Sequence, residues 1–283
     1  MPIRQQQASN FYSGASQAWI EKALRGFEVS KLEKAPVAGL VPHAGWEFSG
    51  AVAAKVYQSI KAYRTPDTVI CFGTVHQNIP DNAIYCRGAW ETPFGKMSVD
   101  EALADRLLQR LSGLAERNES AHEHEHSIEV QMPFLKYFFP EARAVPISIL
   151  PDERAHLVGR RVGELVKEES YNALIIGTTD LTHYGDAYFF TRAGYGHEAH
   201  EWMKRNDARI IGLASALRDD EIVAEAESNR NACGAGAMAA TAGAAKVFGC
   251  RAGQVVAYTT SYDMAPEREF RLGVGYVGML FCA

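Results

Sequence analysis

No stretch of the 283 residues stays apolar for the roughly 18 positions that a membrane-spanning helix needs, so no membrane partner is expected. The opening residues, Met1 to Gln7, lack the apolar run of a secretory leader. Cysteine is scarce: five residues (Cys71, Cys86, Cys233, Cys250 and Cys282), odd in number and widely scattered. That pattern argues against a disulfide framework and for reduced thiols, hence a cytoplasmic setting. No block of basic residues occurs, and a formal net charge of -5 gives no reason to expect nucleic acid as a partner. Internal repeats and a Gly/Ser/Pro-rich linker are missing as well, so residues 1–283 are expected to form one domain. There is no Gly-x-Ser-x-Gly elbow for a serine hydrolase. The glycines at 234 and 236 are not followed by the Gly-Lys-Ser/Thr of a phosphate loop.

What is present is an alternation of β-rich apolar runs with amphipathic helical runs from about residue 36 onward. Strands are expected over 36–41, 67–73, 143–150, 173–177, 255–261 and 274–281, with short extended pieces, a hairpin, over 84–97. Helices are expected over 50–61, 99–114, 127–139 and 153–168, and two or three more fill 197–249. The run at 67–73 is dense in Val, Ile, Cys and Phe, as strands covered on both faces are. Such alternation predicts an α/β fold: a three-layer α/β/α domain with a mainly parallel or mixed central sheet.

Chemistry-bearing side chains gather at strand ends. One strand runs into Pro42-His43-Ala44-Gly45, another into Gly73-Thr74-Val75-His76, and a third into Thr178-Thr179-Asp180-Leu181-Thr182-His183. In open α/β sheets ligands bind beyond the carboxyl ends of the strands. Any one of these histidines alone is more often a core or surface residue; their shared position is what singles them out. Cys233 precedes an Ala-rich helix, where a helix N-terminus favours a thiolate that can act as nucleophile or metal ligand. The competing reading is a structural cysteine in a tightly packed Gly/Ala helix.

In the tract His122-Glu123-His124-Glu125-His126, the first two histidines, His122 and His124, read as a solvated loop. His126 stands at a helix start, where it and Glu129 share a face and point at one site. His197 and His200 are three apart, the wrong spacing for a zinc-protease helix, and read as helix-surface residues.

Taken together, Asn10-Phe11-Tyr12, Pro42-His43-Ala44-Gly45, Gly73-Thr74-Val75-His76, Glu125-His126-Ser127-Ile128-Glu129, Thr179-Asp180-Leu181-Thr182-His183 and Cys233-Gly234 resemble, in order, the motifs of the Memo family. These are relatives of the class III extradiol ring-cleavage dioxygenases, which use non-haem iron. The resemblance implies that fold, one metal ion per chain on His43, His76 and Cys233, and a pocket carrying Asp180, His183 and His126 as acid/base groups. It departs at Trp46, where the family has tyrosine, and at Val75-His76-Gln77, where it has Ser-His-His. Both changes are expected on the pocket wall.

Two imidazoles and a thiolate suit Fe(II), with copper or zinc as alternatives, and argue against magnesium or calcium. The expected function is a metal-dependent, dioxygenase-like oxidoreductase acting on an unknown small molecule. The alternative is a non-catalytic metal-binding or peptide-binding adaptor using the same cleft; a zinc-dependent hydrolase stands third.

Overall fold

The computed structural model describes residues 2–283. Its strands are β1 (Ile3–Arg4), β2 (Pro36–Val41), β3 (Thr68–Gly73), β4 (Asn82–Ile84), β5 (Ala89–Thr92), β6 (Gly95–Ser98), β7 (Ala115–Arg117), β8 (Arg143–Ser148), β9 (Ala173–Thr178), β10 (His183–Gly185), β11 (Gly253–Thr260) and β12 (Leu272–Cys282). The α-helices are α1 (Gln17–Ala23), α2 (Ala51–Lys61), α3 (Glu101–Arg110), α4 (Met132–Phe138), α5 (Ala155–Glu168), α6 (His197–Ser215), α7 (Ile222–Asn229), α8 (Ala235–Phe248) and α9 (Ser261–Met264).

The large sheet runs β10-β12-β2-β9-β3-β8-β4-β7, with β11 on the other side of β12. Its centre, β2-β9-β3-β8, is parallel. Antiparallel pairings at β12 and between β4 and β8 make the whole sheet mixed. Side chains of the central strands alternate between two cores, as the two-residue period of a strand requires. Ile70, Phe72 and Ile175 pack with α3, α5, α7 and α8, whereas Val69, Cys71, Leu174 and Ile176 pack with α2 and α4. Both faces of β3 and β9 are therefore covered, which is why these strands read as unbroken apolar runs. Helix α8 is almost free of bulk, and it lies backbone-close to α5: a Cβ on Gly159 would sit 1.7 Å from the Ala240 carbonyl oxygen. Among the described residues no helix is long and apolar enough to cross a membrane.

The α/β class and mixed sheet match the expectation. Three local differences have physical reasons. The helix expected over 127–139 is a 3-10 turn at Glu129–Gln131 leading into α4, because Pro133 at the start of α4 suits a helix's first turn and not its interior. The hairpin expected over 84–97 is β5–β6, while Ile84 belongs to β4 in the main sheet. The short elements β1, β7, β10 and α9 were not expected, because each is too brief to show a period.

Candidate metal centre

Strands β2 and β9 are parallel neighbours, with Val41 beside Thr178. Just past their ends the Asp180 carboxylate accepts the backbone N–H groups of His43 (2.8 Å) and Ala44 (3.3 Å). This ties the two strand ends together and fixes the His43 ring. Its Nδ1 is 3.0 Å from the Thr178 hydroxyl and its Nε2 is 3.2 Å from Cys233 Sγ. Cys233 arrives from the turn before α8. Its N–H donates to the Asp180 carbonyl (3.1 Å), its Sγ accepts the Asp180 N–H (3.3 Å), and Thr74 Oγ1 donates to its carbonyl (2.6 Å). A Cβ on Gly234 would meet the Thr178 carbonyl oxygen at 2.3 Å, so only a glycine there lets the thiol come this close to the sheet.

His76 follows β3. The Glu125 carboxylate binds it twice, accepting its backbone N–H (2.8 Å) and lying 2.9 Å from Nδ1. With Nδ1 engaged, the free donor of His76 is Nε2. One donor atom from each of His43, His76 and Cys233 lies within 4.8 Å of the others. His126 stacks flat on His76, with ring centroids 4.4 Å apart, and stands edge-on to His43 at 5.6 Å.

Burial sets the charge state of this cluster. His43 is 1% exposed, and desolvation, reinforced by the neighbouring histidines, holds its pKa well below the usual imidazole value. Burial and His76 lower His126 to about 4, and burial lowers His183. Burial raises Asp180 to about 7 against the pull of its two backbone N–H donors. For Glu125 burial opposes ionisation, but hydrogen bonds from His76 and Ser127 outweigh it and keep the carboxyl below its usual range. The Cys233 thiol is pushed up by burial and by Asp180. Helix α8 itself begins two residues further on, at Ala235.

His43, His76, His126 and Asp180 form the floor of a cavity of about 500 Å³, whose wall includes His183, Tyr188 and Tyr276. His183 Nδ1 is 3.0 Å from the Leu181 carbonyl. A carbonyl only accepts, so Nδ1 carries the proton and Nε2 is left as an acceptor.

A family model described as Memo-like protein matches residues 5–280. The chain belongs to the Memo family. A MEMO1 family protein of Thermococcus onnurineus is 32% identical, over 97% of this chain and 97% of the relative. One from Aquifex aeolicus is 34% identical, over 91% and 90%. The crystal structure of an uncharacterized protein from Escherichia coli K12 has the same fold, with a TM-score of 0.55 at 12% identity, covering 85% of this chain and 98% of that one.

Of the six proposed residues, His43, His76, His126, Asp180 and His183 line this cavity, and Cys233 adjoins it through His43, its Sγ 3.2 Å from Nε2. Glu129 does not. Its carboxylate turns away to accept from Tyr12 Oη (2.6 Å), from the N–H groups of Gln7 and Ala8, and from Arg4 (2.6 Å). His126 lies before the 3-10 turn, so the two never share a helix face. Trp46 is not on the pocket wall either: it is buried against Phe134 and Trp19, and neither it nor Gln77 lines the cavity.

His122 is fully buried rather than solvated, and His200 is buried against Phe270 and Thr260 rather than on a helix surface; His124 and His197 are exposed. Residues that strand-end reasoning passed over are Glu125 and Thr178, which orient the two imidazoles, and Phe11, whose ring stacks on His126 at 4.6 Å. Glu125 sits beside a singled-out histidine, and Thr178 directly precedes the Thr179-Asp180 pair, so both had a signal. Phe11 had none beyond its place in a motif.

Proposed function

We propose that His43, His76 and Cys233 hold one metal ion, Fe(II) first and copper or zinc next, in an oxidoreductase acting on a small molecule bound in the cavity. One observation carries this reading: three soft or borderline donors converge within 4.8 Å while Glu125 and Thr178 occupy the other ring nitrogens. Resident metal sites have this outer shell of hydrogen-bonded acceptors, which fixes tautomer and ring orientation. An N₂S donor set fits iron, copper or zinc, and a bound ion would supply Lewis acidity and, for iron or copper, redox chemistry.

The chain's own residues have separable tasks. His183, with Nδ1 anchored on Leu181, offers Nε2 as a proton acceptor toward the cavity. Asp180 holds the His43 backbone in place, and its pKa of about 7 lets it share a proton near neutrality. His126, neutral at that pH, presents an unprotonated nitrogen at the edge of its ring.

The test is metal content after anaerobic purification. Near-stoichiometric iron or copper in the wild type is expected, with loss in His43→Ala, His76→Ala and Cys233→Ser. Glu125→Gln should keep the site but weaken it by about 10–100-fold, the usual effect of removing an orienting carboxylate. A wild type that takes up no Fe(II), Cu(I) or Zn(II) on anaerobic reconstitution would sink the reading. A second reading, a non-catalytic adaptor that binds a peptide in the same cleft, draws support from apolar side chains at the cavity mouth, Phe48 and Leu272, which are 36% and 48% exposed. It predicts metal binding without oxygen uptake under any substrate screened.

A further inference from the structure

Exposure gives the cavity a direction. His43 and Asp180 are buried and form its floor, whereas Phe48, Tyr262, Ala265, Glu267 and Leu272 are partly or fully exposed and form its rim. Charge is distributed unevenly along that axis. Among the described residues no lysine or arginine lines the cavity, and Glu267 is the carboxylate at the rim. No cation pairs with Glu267 among the described residues, although most nearby charges are paired. Arg271 is taken by Glu269 and stacks on Tyr195. Arg230 donates to the carbonyls of Tyr188 and Phe189 and lies over Phe190. Arg268, next in sequence, lines the adjoining cavity with His197 and His200.

The rim is also shaped by aromatics whose positions are fixed. The Tyr262 hydroxyl donates to the Glu267 carbonyl (3.0 Å), closing residues 262–267 into a loop that keeps the carboxylate at the mouth. The Tyr262 ring is itself wedged against His200 and Phe270, at 4.9 and 5.2 Å. With Phe11, Phe48, Tyr188 and Tyr276, it makes five aromatic rings around one cavity. Aromatic faces attract organic cations and also take flat rings, and an unpaired carboxylate adds charge selection.

On the reading that this cavity takes the substrate, the geometry points to an aromatic small molecule with a positively charged amine, its ring among the aromatics and its ammonium at Glu267. A phosphate or carboxylate at that end would meet Glu267 and find no compensating cation. Glu267 is thus a specificity residue set apart from the histidine floor.

Three ligands that share a phenol ring but differ in charge test this by calorimetry: tyramine (cation), 4-ethylphenol (neutral) and 3-(4-hydroxyphenyl)propionate (anion). Wild-type protein should bind tyramine about 3- to 10-fold more tightly than 4-ethylphenol, the range for one exposed charge pair with a cation–π contact, and the anion most weakly. Glu267→Gln should bring tyramine level with 4-ethylphenol and leave 4-ethylphenol unchanged; Glu267→Lys should reverse the order. Equal or tighter binding of the anion, an order unmoved by Glu267→Gln, or no binding by any of the three would each overturn the proposal.

Run on chelator-treated and on metal-loaded protein, the ranking is read apart from metal content. A correct ranking in protein that also takes up no metal on reconstitution removes only the metal reading. A flat ranking in metal-loaded protein removes only this one.

Discussion

His122 and His126 are four residues apart in one tract, yet the fold treats them oppositely. His122 is enclosed, its Nε2 3.1 Å from the Ala83 carbonyl, its Nδ1 3.4 Å from the Ser148 hydroxyl, and its ring edge-on to Tyr85 and Trp90. His126 stands on the cavity, stacked between Phe11 and His76, with no hydrogen bond from its ring to the described residues. Arg4 clamps the backbone between them, donating to the carbonyls of His122, Glu123 and Glu125 while pairing with Glu129. A buried histidine with both nitrogens engaged by the protein is part of the scaffold. One whose ring is packed but whose nitrogens are left free is available for chemistry.

The clamp is the place to break this contrast most forcefully. Glu129→Ala removes the acceptor of Arg4, Tyr12 and two backbone N–H groups and strands a buried guanidinium. Losing one partner of a buried pair typically costs about 3–5 kcal/mol, and denaturant unfolding should show a loss of that size. A loss under about 1 kcal/mol would mean the N-terminal segment is not held by this carboxylate.

A milder and more direct comparison replaces each histidine in turn. His122→Leu leaves the Ala83 carbonyl without its donor and should cost about 1–3 kcal/mol. His126→Leu removes no such bond and should stay under about 1 kcal/mol. Equal costs would dissolve the distinction.

The last effect is a pH dependence, about 1.4 kcal/mol at most for each pH unit. Burial holds His122 at about 4, against roughly 6.5 in an unfolded chain. The unfolded state therefore takes up the proton first, and the wild type loses stability from this group as pH falls from about 6.5 toward 4. His122→Leu lacks that term, so its deficit against wild type should narrow by up to about 1.4 kcal/mol per pH unit across that window. A deficit that stays constant from pH 7 to 4.5 would show that the imidazole does not titrate this way.

These contrasts mark where the sequence can be read and where it cannot. The strands at 36–41, 68–73 and 173–178 are legible because a strand covered on both faces must be apolar throughout. His43, His76 and the Asp180–His183 segment are legible with them because they stand just past those strands. The resemblance to the family adds Cys233, which position alone leaves undecided between thiolate and structural thiol. What is hidden depends on partners far away in sequence. Arg4 reaches residues 118 to 125 positions away, so neither the burial of His122 nor the outward turn of Glu129 leaves a local pattern. His200 is likewise placed by Thr260 and Phe270, and a helical period of 3.6 cannot tell a solvated face from one covered by a later strand.

The close approach of Gly234 to strand β9 separates two properties that usually travel together in a binding site: which donor is offered, and where it is held. The place of residue 233 follows from backbone lying against backbone, not from how its own side chain packs. A different donor at 233 would inherit nearly the same position, so the chemistry of this corner can change while the frame stays put. An alanine at 234 does the reverse, shifting the frame and leaving the donor's identity untouched.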